Sequence, residues 1–173
     1  MTELATIAKD RIWMLKIKII TVGKLKERAL RELAGEYVKR LGRYCSLEIA
    51  EVAEEDIPAG ESEAGIAHSL KNEAERLLGR IGKADAHVIA LDMRGEAPDS
   101  VALSRKIVAL AGTRPEIAFI IGGSCGLHPD VLKRADMALS ISNLTLPHQL
   151  ARLILLEQVY RAFKIQNNEA YHK

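Results

Sequence analysis

Three stretches of this 173-residue chain place glycine, proline and polar residues directly after apolar runs. They are ALDMRG (90–95), IIGGSCGL (120–127) and ISNLTLPHQL (141–150). Gly122, Gly123 and Gly126 would allow a ligand to approach the backbone closely, or would simply allow a sharp turn. Their spacing does not match the G-x-G-x-x-G dinucleotide fingerprint, and the sequence contains no P-loop motif. The glycine cluster therefore leaves both interpretations open.

Two polar residues in these stretches have chemical potential. Asp92 ends an apolar run and is a candidate catalytic carboxylate, although an aspartate there also suits a cap of the next turn. His148 follows Pro147 at the predicted start of a helix, where backbone N–H groups and the helix dipole favour an anion. Packing or capping is the alternative for His148. The histidines form no H-E-x-x-H or H-x-x-x-H pair, so no zinc site is expected.

An alternation of strands and helices must position these stretches. Apolar, β-branched runs predict strands at 15–22, 47–52, 87–93, 117–121 and 137–142. Apolar residues three and four apart predict helices at 30–41, 66–81, 101–111, 129–135 and 147–164. This order predicts a doubly wound α/β domain, in which a mostly parallel sheet carries helices on both faces. Ligands of such sheets bind beyond the carboxyl ends of the strands, where the three stretches lie.

The last predicted helix is apolar on more than one face. Its apolar residues are Leu150, Leu153, Ile154, Leu155, Leu156, Val159, Tyr160 and Phe163. A helix on the surface of a monomer needs only one apolar stripe. The additional apolar surface is either buried inside the domain or packed against a second copy of the chain, and we favour a homodimer.

Composition and charge limit the function classes. The 48% of apolar residues excludes a disordered protein. No run of about 18 apolar residues and no leader are present, so we expect a cytoplasmic protein without a membrane span or a metal. Net charge is +2, but residues 9–44 hold eleven basic against four acidic residues, and residues 45–99 hold five against thirteen. Either a polyanion meets the basic ends while the acidic middle faces away, or these are ordinary solvated faces.

Several longer strings resemble one family. MLKIKIITVGKLKE, ALDMRG, FIIGGSCGLHPDVLKRAD, LSISNLTLPHQLARLILLEQVYRAFKI and EAYHK are similar to the RlmH family, the SPOUT-class methyltransferases of bacterial 23S rRNA. The resemblance implies transfer of a methyl group from S-adenosylmethionine to N3 of a pseudouridine, by a homodimer acting on the assembled ribosome. It also implies a C-terminal trefoil knot. Because the family's chain begins at the equivalent of Met14, residues 1–13 are interpreted as an N-terminal extension and 14–173 as one SPOUT-like domain.

The resemblance also implies a cofactor site at the same three strand ends. It assigns cofactor contacts to Leu91, to Gly122 and to the stretch Ser142, Asn143, Leu144, Thr145, Leu146 and Pro147. An adenine ring would lie among the leucine side chains, and glycine would let the methionine part of the cofactor lie against the main chain.

Methyl transfer to N3 requires removal of a weakly acidic imide proton or stabilisation of the developing anion. Near the implied cofactor site, the candidates are His148 and Arg152, one helical turn apart on the same face. Tyr171 and His172 are the other candidates, because in a dimer the C-terminus of one subunit could reach the site of its partner. His172 is slightly favoured over His148 as the base.

A third group of candidates concerns RNA. Lys24, Lys26 and Arg28 follow the first predicted strand, so they should lie at the ligand edge of the sheet and contact phosphates. Two other readings of the chain remain. One is a non-catalytic ribosome- or RNA-binding factor with a SPOUT-like fold, and the other is an α/β module that binds a different nucleotide.

Overall fold

The computed structural model describes residues 15–57, 60–81 and 85–171. Within these residues strands and helices alternate along the chain. The strands are β1 (Lys16–Val22), β2 (Ser46–Val52), β3 (Ala86–Glu96), β4 (Glu116–Ile121) and β5 (Met137–Leu139). The helices are α1 (Arg28–Leu41), α2 (Glu63–Ile81), α3 (Ser100–Ala111), α4 (Pro129–Arg134) and α5 (His148–Gln166). The predicted N-terminal extension and His172 lie outside the described residues.

The strands form one parallel sheet in the order β2-β1-β4-β3-β5. Helices α1, α3 and α5 pack on one face around Ile19 and Phe119, and α2 and α4 cover the other face around Val88 and Ile120. All six residues of β4 are buried because both of its faces are covered, which explains its continuous apolar run. The prediction of a doubly wound, parallel α/β sheet is confirmed.

The edge between β3 and β5 differs from the prediction. Leu91 and Glu96 both pair with Leu139, so the residues between them bulge out of the sheet and β3 extends to Glu96. The amide of Ser140 donates to the carbonyl of Glu96 at 2.8 Å, and β5 ends at Leu139 instead of Ser142. Continuous apolar character predicts the core of a strand, but it carries no information about such a bulge.

Most of the apolar surface of α5 is buried inside the domain. The helix packs against α1 and α3, and Leu155, Leu156, Val159 and Phe163 are buried in the core that they share. Leu150 stays 39% exposed. The intradomain alternative therefore accounts for most of the several-sided apolar character of this helix, and Leu150 marks what remains uncovered. None of the helices in the described ranges combines the length and hydropathy that a membrane span requires.

Gly95 provides a test of the bulge. A Cβ on Gly95 would lie 2.5 Å from the carbonyl carbon of Ala138, whereas one on Gly79 in α2 would meet nothing within 4 Å. We expect Gly95→Ala to lower the free energy of unfolding by about 1–3 kcal/mol, because backbone atoms of β5 must move. The control Gly79→Ala should be neutral or slightly stabilising. Urea denaturation of both variants makes the measurement, and equal stabilities would show that β3 and β5 do not approach this closely.

Candidate functional site

The carboxyl ends of β3, β4 and β5 meet at one edge of the sheet, since these strands are neighbours. After β4, Gly123 and Gly126 form an isolated bridge, and Gly126 has a φ of +83°. A Cβ on Gly122 would lie 2.6 Å from the carbonyl carbon of Gly126 and 3.0 Å from Cδ2 of Leu127. The tight turn therefore itself requires a glycine at position 122, whatever else this residue contacts.

At the end of β3, Asp92 organises its own turn. Its Oδ1 accepts hydrogen bonds from the backbone amide and Nε of Arg94, both at 2.9 Å, and its Oδ2 accepts one from Nη2 at the same distance. The guanidinium of Arg94 holds the pKa of Asp92 below its ordinary value. These bonds support the turn-capping interpretation of Asp92 rather than the catalytic one.

The stretch 142–147 lies against the end of β3. Oγ of Ser142 accepts a hydrogen bond from the amide of Leu144 at 3.0 Å, which turns the chain. The hydroxyl of Thr145 donates to Sδ of Met93 at 3.7 Å and joins the two segments. Leu144 is 73% exposed and Met93 56%, so this edge presents uncovered apolar side chains. The structure thus brings Leu91, Gly122 and the 142–147 stretch to one edge.

The start of α5 reaches in another direction, towards the ends of β1 and β2. A Cβ built on Gly23, directly after β1, would lie 3.6 Å from Nε2 of His148 and 3.4 Å from Oε2 of Glu54. Nη1 of Arg152 donates to Oε1 of Glu51 in β2 at 2.7 Å. Nε2 of His148 and Nε of Arg152 are buried, and neither has a hydrogen-bond partner among the described residues.

The C-terminal candidate Tyr171 packs back against the middle of α5. Its ring packs edge-on against Tyr160, with 5.1 Å between ring centroids, and the guanidinium of Arg161 lies 4.8 Å from its ring centre. Its hydroxyl donates to Glu157 at 3.1 Å. Burial raises the pKa of Tyr171 to about 12. Glu157 is nine residues from His148, about 14 Å along the helix at ~1.5 Å per residue, so the Tyr171 hydroxyl does not reach His148 within one subunit.

The predicted RNA contacts follow β1 as expected, but two of the three are paired within the chain. Nζ of Lys26 lies 3.3 Å from Oε2 of Glu54, and Nε of Arg28 lies 2.6 Å from Oε1 of Glu32. Lys24 makes no hydrogen bond or ion pair with the part of the chain that is described. Of the predicted trio, Lys24 is the cation most available to an external anion.

The acidic middle of the chain lies beside the basic N-terminal segment, and side chains of the two segments form ion pairs. Glu48 on β2 pairs with Lys16 and Lys18 on β1, at 3.1 and 3.0 Å. Glu51 and Glu54 pair with Arg152 and Lys26. Because β1 and β2 are adjacent parallel strands, the fold places acidic residues of one beside basic residues of the other.

Two features had no signal in the sequence. One is a cavity of about 420 Å³ between α1, β2 and α5, whose lining comes from segments far apart along the chain. The other is Glu73 of α2, a buried carboxylate that accepts a hydrogen bond from the amide of Glu55 at 2.9 Å. Burial raises the pKa of Glu73. Its two carboxylate oxygens lie 3.4 Å from the position that a Cβ on Gly123 would occupy, so the Glu73 side chain packs against the glycine turn.

Comparisons with known proteins find similar sequences and a similar fold. Residues 15–172 match the family model described as predicted SPOUT methyltransferase. The chain is 52% identical over 162 residues to the ribosomal RNA large subunit methyltransferase H of Bifidobacterium adolescentis, covering 92% of this chain and all of that one. It is 47% identical over 160 residues to the protein of the same name from Exiguobacterium sibiricum, with the same coverage.

Among solved structures, the fold is similar to that of a probable methylase family protein from Haemophilus influenzae Rd KW20. The TM-score is 0.55 at 18% identity, over 94% of this chain and 71% of that chain. This likeness concerns the arrangement of strands and helices.

The docking of Tyr171 predicts a phenol that resists ionisation. At pH 10.5, Tyr171→Phe and the wild type should show the same tyrosinate absorbance near 295 nm, because a group with a pKa of about 12 is still protonated there. The raised pKa also means that its contribution to stability is complete below pH 10 and is lost as the pH rises towards 12. Circular dichroism verifies that both proteins are folded. If the pKa of Tyr171 were the ordinary 10.0, this phenol would be largely ionised at pH 10.5 and the variant would absorb less than the wild type. That result would contradict the docked position.

Proposed function

The chain belongs to the SPOUT methyltransferase family, and from this premise we propose that it transfers a methyl group from S-adenosylmethionine to large-subunit ribosomal RNA. The acceptor that we propose is N3 of a pseudouridine in 23S rRNA within the assembled ribosome. Residues 14–173 would form the catalytic domain, with the trefoil knot at its C-terminal end. The proposal is carried by one observation: three strand ends that are separated in the sequence meet at one edge of the sheet.

The residues at this edge suit the proposed cofactor. Leu91 and Leu146 are half-buried and Leu144 is exposed, so they offer apolar surface for an adenine ring. Three of the five residues from Gly122 to Gly126 are glycine, which leaves the backbone of this loop bare. Backbone N–H and C=O groups without neighbouring side chains are suitable partners for the polar groups of the cofactor.

When bound, S-adenosylmethionine supplies an electrophilic methyl group, and the protein must orient the acceptor and deal with its proton. His148 lies where α5 begins, beside the end of β1, and would face the developing anion from that side. Arg152 points towards β2, where it pairs with Glu51. The hydroxyl of Tyr171 is bound to Glu157, about 14 Å along the helix from His148 at ~1.5 Å per residue. In the proposed homodimer, Tyr171 and His172 of one subunit would complete the site of the other.

The methylation experiment uses ribosomes from cells that lack this modification. We expect the protein with S-adenosylmethionine to add one methyl group to 23S rRNA, and digestion with mass spectrometry to locate it on N3 of a pseudouridine. Ribosome binding without cofactor binding in calorimetry would instead favour the non-catalytic factor. Cofactor binding without methyl transfer to ribosomes would show that the substrate is different.

The cofactor edge is tested by Leu144→Glu. Since Leu144 is 73% exposed, the substitution should leave stability unchanged, whereas a carboxylate in the apolar adenine site should weaken cofactor binding at least tenfold. Tenfold corresponds to about 1.4 kcal/mol. Lys71→Glu places the same side chain on the exposed surface of α2 and should bind the cofactor like the wild type. Wild-type affinity in Leu144→Glu, measured by calorimetry, would remove Leu144 from the site.

The homodimer is tested at the exposed part of α5. Leu156 is fully buried within the domain, so a charge there would unfold the chain. Leu150 and Ile154 lie one turn apart on a less buried face. Replacing both with glutamate should give folded monomers in analytical ultracentrifugation. The variant should not methylate ribosomes, whereas its cofactor affinity should change little. A wild type that is monomeric at micromolar concentration would contradict the dimer.

A further inference from the structure

The cavity between α1, β2 and α5 is separate from the edge where the cofactor is proposed to bind. It has a volume of about 420 Å³, and its lining includes the cations Lys24, Arg31 and Arg152. Its apolar lining includes Leu25, Val38 and Ile49. Cavities from about 300 Å³ upwards accommodate small ligands. The volume is therefore sufficient for a ligand that has a charged part and an apolar part.

The charges of the cavity favour an anion. Three cations face one carboxylate, that of Glu51, so the lining residues carry a formal charge of +3 − 1 = +2. The carboxylate of Glu51 already forms an ion pair with Arg152, whose Nη1 lies 2.7 Å from its Oε1. Lys24 makes no hydrogen bond or ion pair with the described residues, and it is exposed to solvent. An incoming anion would contact the exposed Lys24 first and would give it the ion-pair partner that the described residues do not provide.

Arg152 adds an observation that is independent of net charge. Its side chain is only 7% exposed, and its Nε is buried without a hydrogen-bond partner among the described residues. Leaving a buried charged donor unsatisfied costs free energy, so such a group in a cavity wall indicates a missing acceptor. Arginine is the side chain best suited to bind phosphate oxygens.

We infer that this cavity is an RNA subsite that takes one nucleotide of the substrate, with its phosphate near Lys24 and Arg152 and its ribose and base against the apolar wall. The inference rests on the proposed function. Three strand spacings, about 14 Å, separate β2 from β3, so the bound nucleotide is a neighbour of the methyl acceptor rather than the acceptor. The subsite holds the RNA in register while the reaction takes place at the other edge.

A pair of glycines makes a matched test possible. Gly35 in α1 lines the cavity, and a Cβ there would meet nothing within 4 Å. Gly79 in α2 has equally open surroundings and lies on the other face of the sheet. Gly35→Leu should fill the cavity and weaken binding to 70S ribosomes at least tenfold, with cofactor affinity unchanged. Gly79→Leu should bind ribosomes like the wild type, and thermal unfolding should show both variants folded.

Lys24→Ala tests the phosphate contact. Its ribosome affinity should fall less steeply with salt than that of the wild type, with a slope smaller by about one unit for one lost phosphate contact. A wild-type slope would overturn the assignment of Lys24 to a phosphate.

The outcomes separate the subsite from the proposed function. A wild type that neither binds nor methylates ribosomes would defeat the proposed function. If the wild type methylates ribosomes and Gly35→Leu binds them equally well, the function stands and the subsite is wrong. If Gly35→Leu becomes monomeric in analytical ultracentrifugation, the cavity is a subunit contact, and the subsite is again wrong.

Discussion

The close approach of the β3 and β5 backbones is the constraint on which the rest of the site depends. Gly95 passes so near Ala138 that no side chain fits between them, and Leu91 and Glu96 both pair with Leu139. The bulge between these two pairings places Asp92, Met93 and Arg94 at the carboxyl edge of the sheet. The same pairing ends β5 early, so that the 142–147 stretch turns back towards Met93. The three strand ends share one edge because the strands are parallel neighbours, and this pairing brings the 142–147 stretch against the end of β3.

Helix α5 connects this edge to the remainder of the domain. Its first turn is bound through polar groups to the ends of β1 and β2, including a hydrogen bond from the amide of Lys26 to Gln149 at 2.8 Å. Its middle is buried between α1 and α3, and Tyr171 packs against Glu157, Tyr160 and Arg161. Arg152 and Glu51 form a largely buried ion pair, and removal of one partner from such a pair typically costs about 3–5 kcal/mol. The helix therefore joins the 142–147 stretch to the ends of β1 and β2, while the Tyr171 hydroxyl stays about 14 Å along the helix from His148 within one subunit.

Charge in this protein is distributed differently in space than along the chain. Taken separately, the basic and acidic segments of the sequence each carry a large net charge. In the fold, β1 and β2 lie side by side and their charged side chains form ion pairs. Exposed pairs of this kind contribute little to stability. They provide Lys16, Lys18 and Lys26 with carboxylate partners, whereas Lys24 has no hydrogen-bond or ion-pair partner among the described residues.

The sequence by itself determined the class of fold, the approximate bounds of all ten elements in the described residues and, through its motifs, the family. These follow from local patterns, because alternation, apolar spacing and a run such as IAFII depend on neighbouring residues. Tertiary structure alone decided the bulge after Leu91, the direction of Arg152 and the cavity beside it. Each of these depends on backbone or side-chain approaches between segments up to a hundred residues apart, such as Glu51 and Arg152. The pattern of residues adjacent in the sequence does not specify such long-range contacts, because they depend on how the strands pair and how the helices cover the sheet.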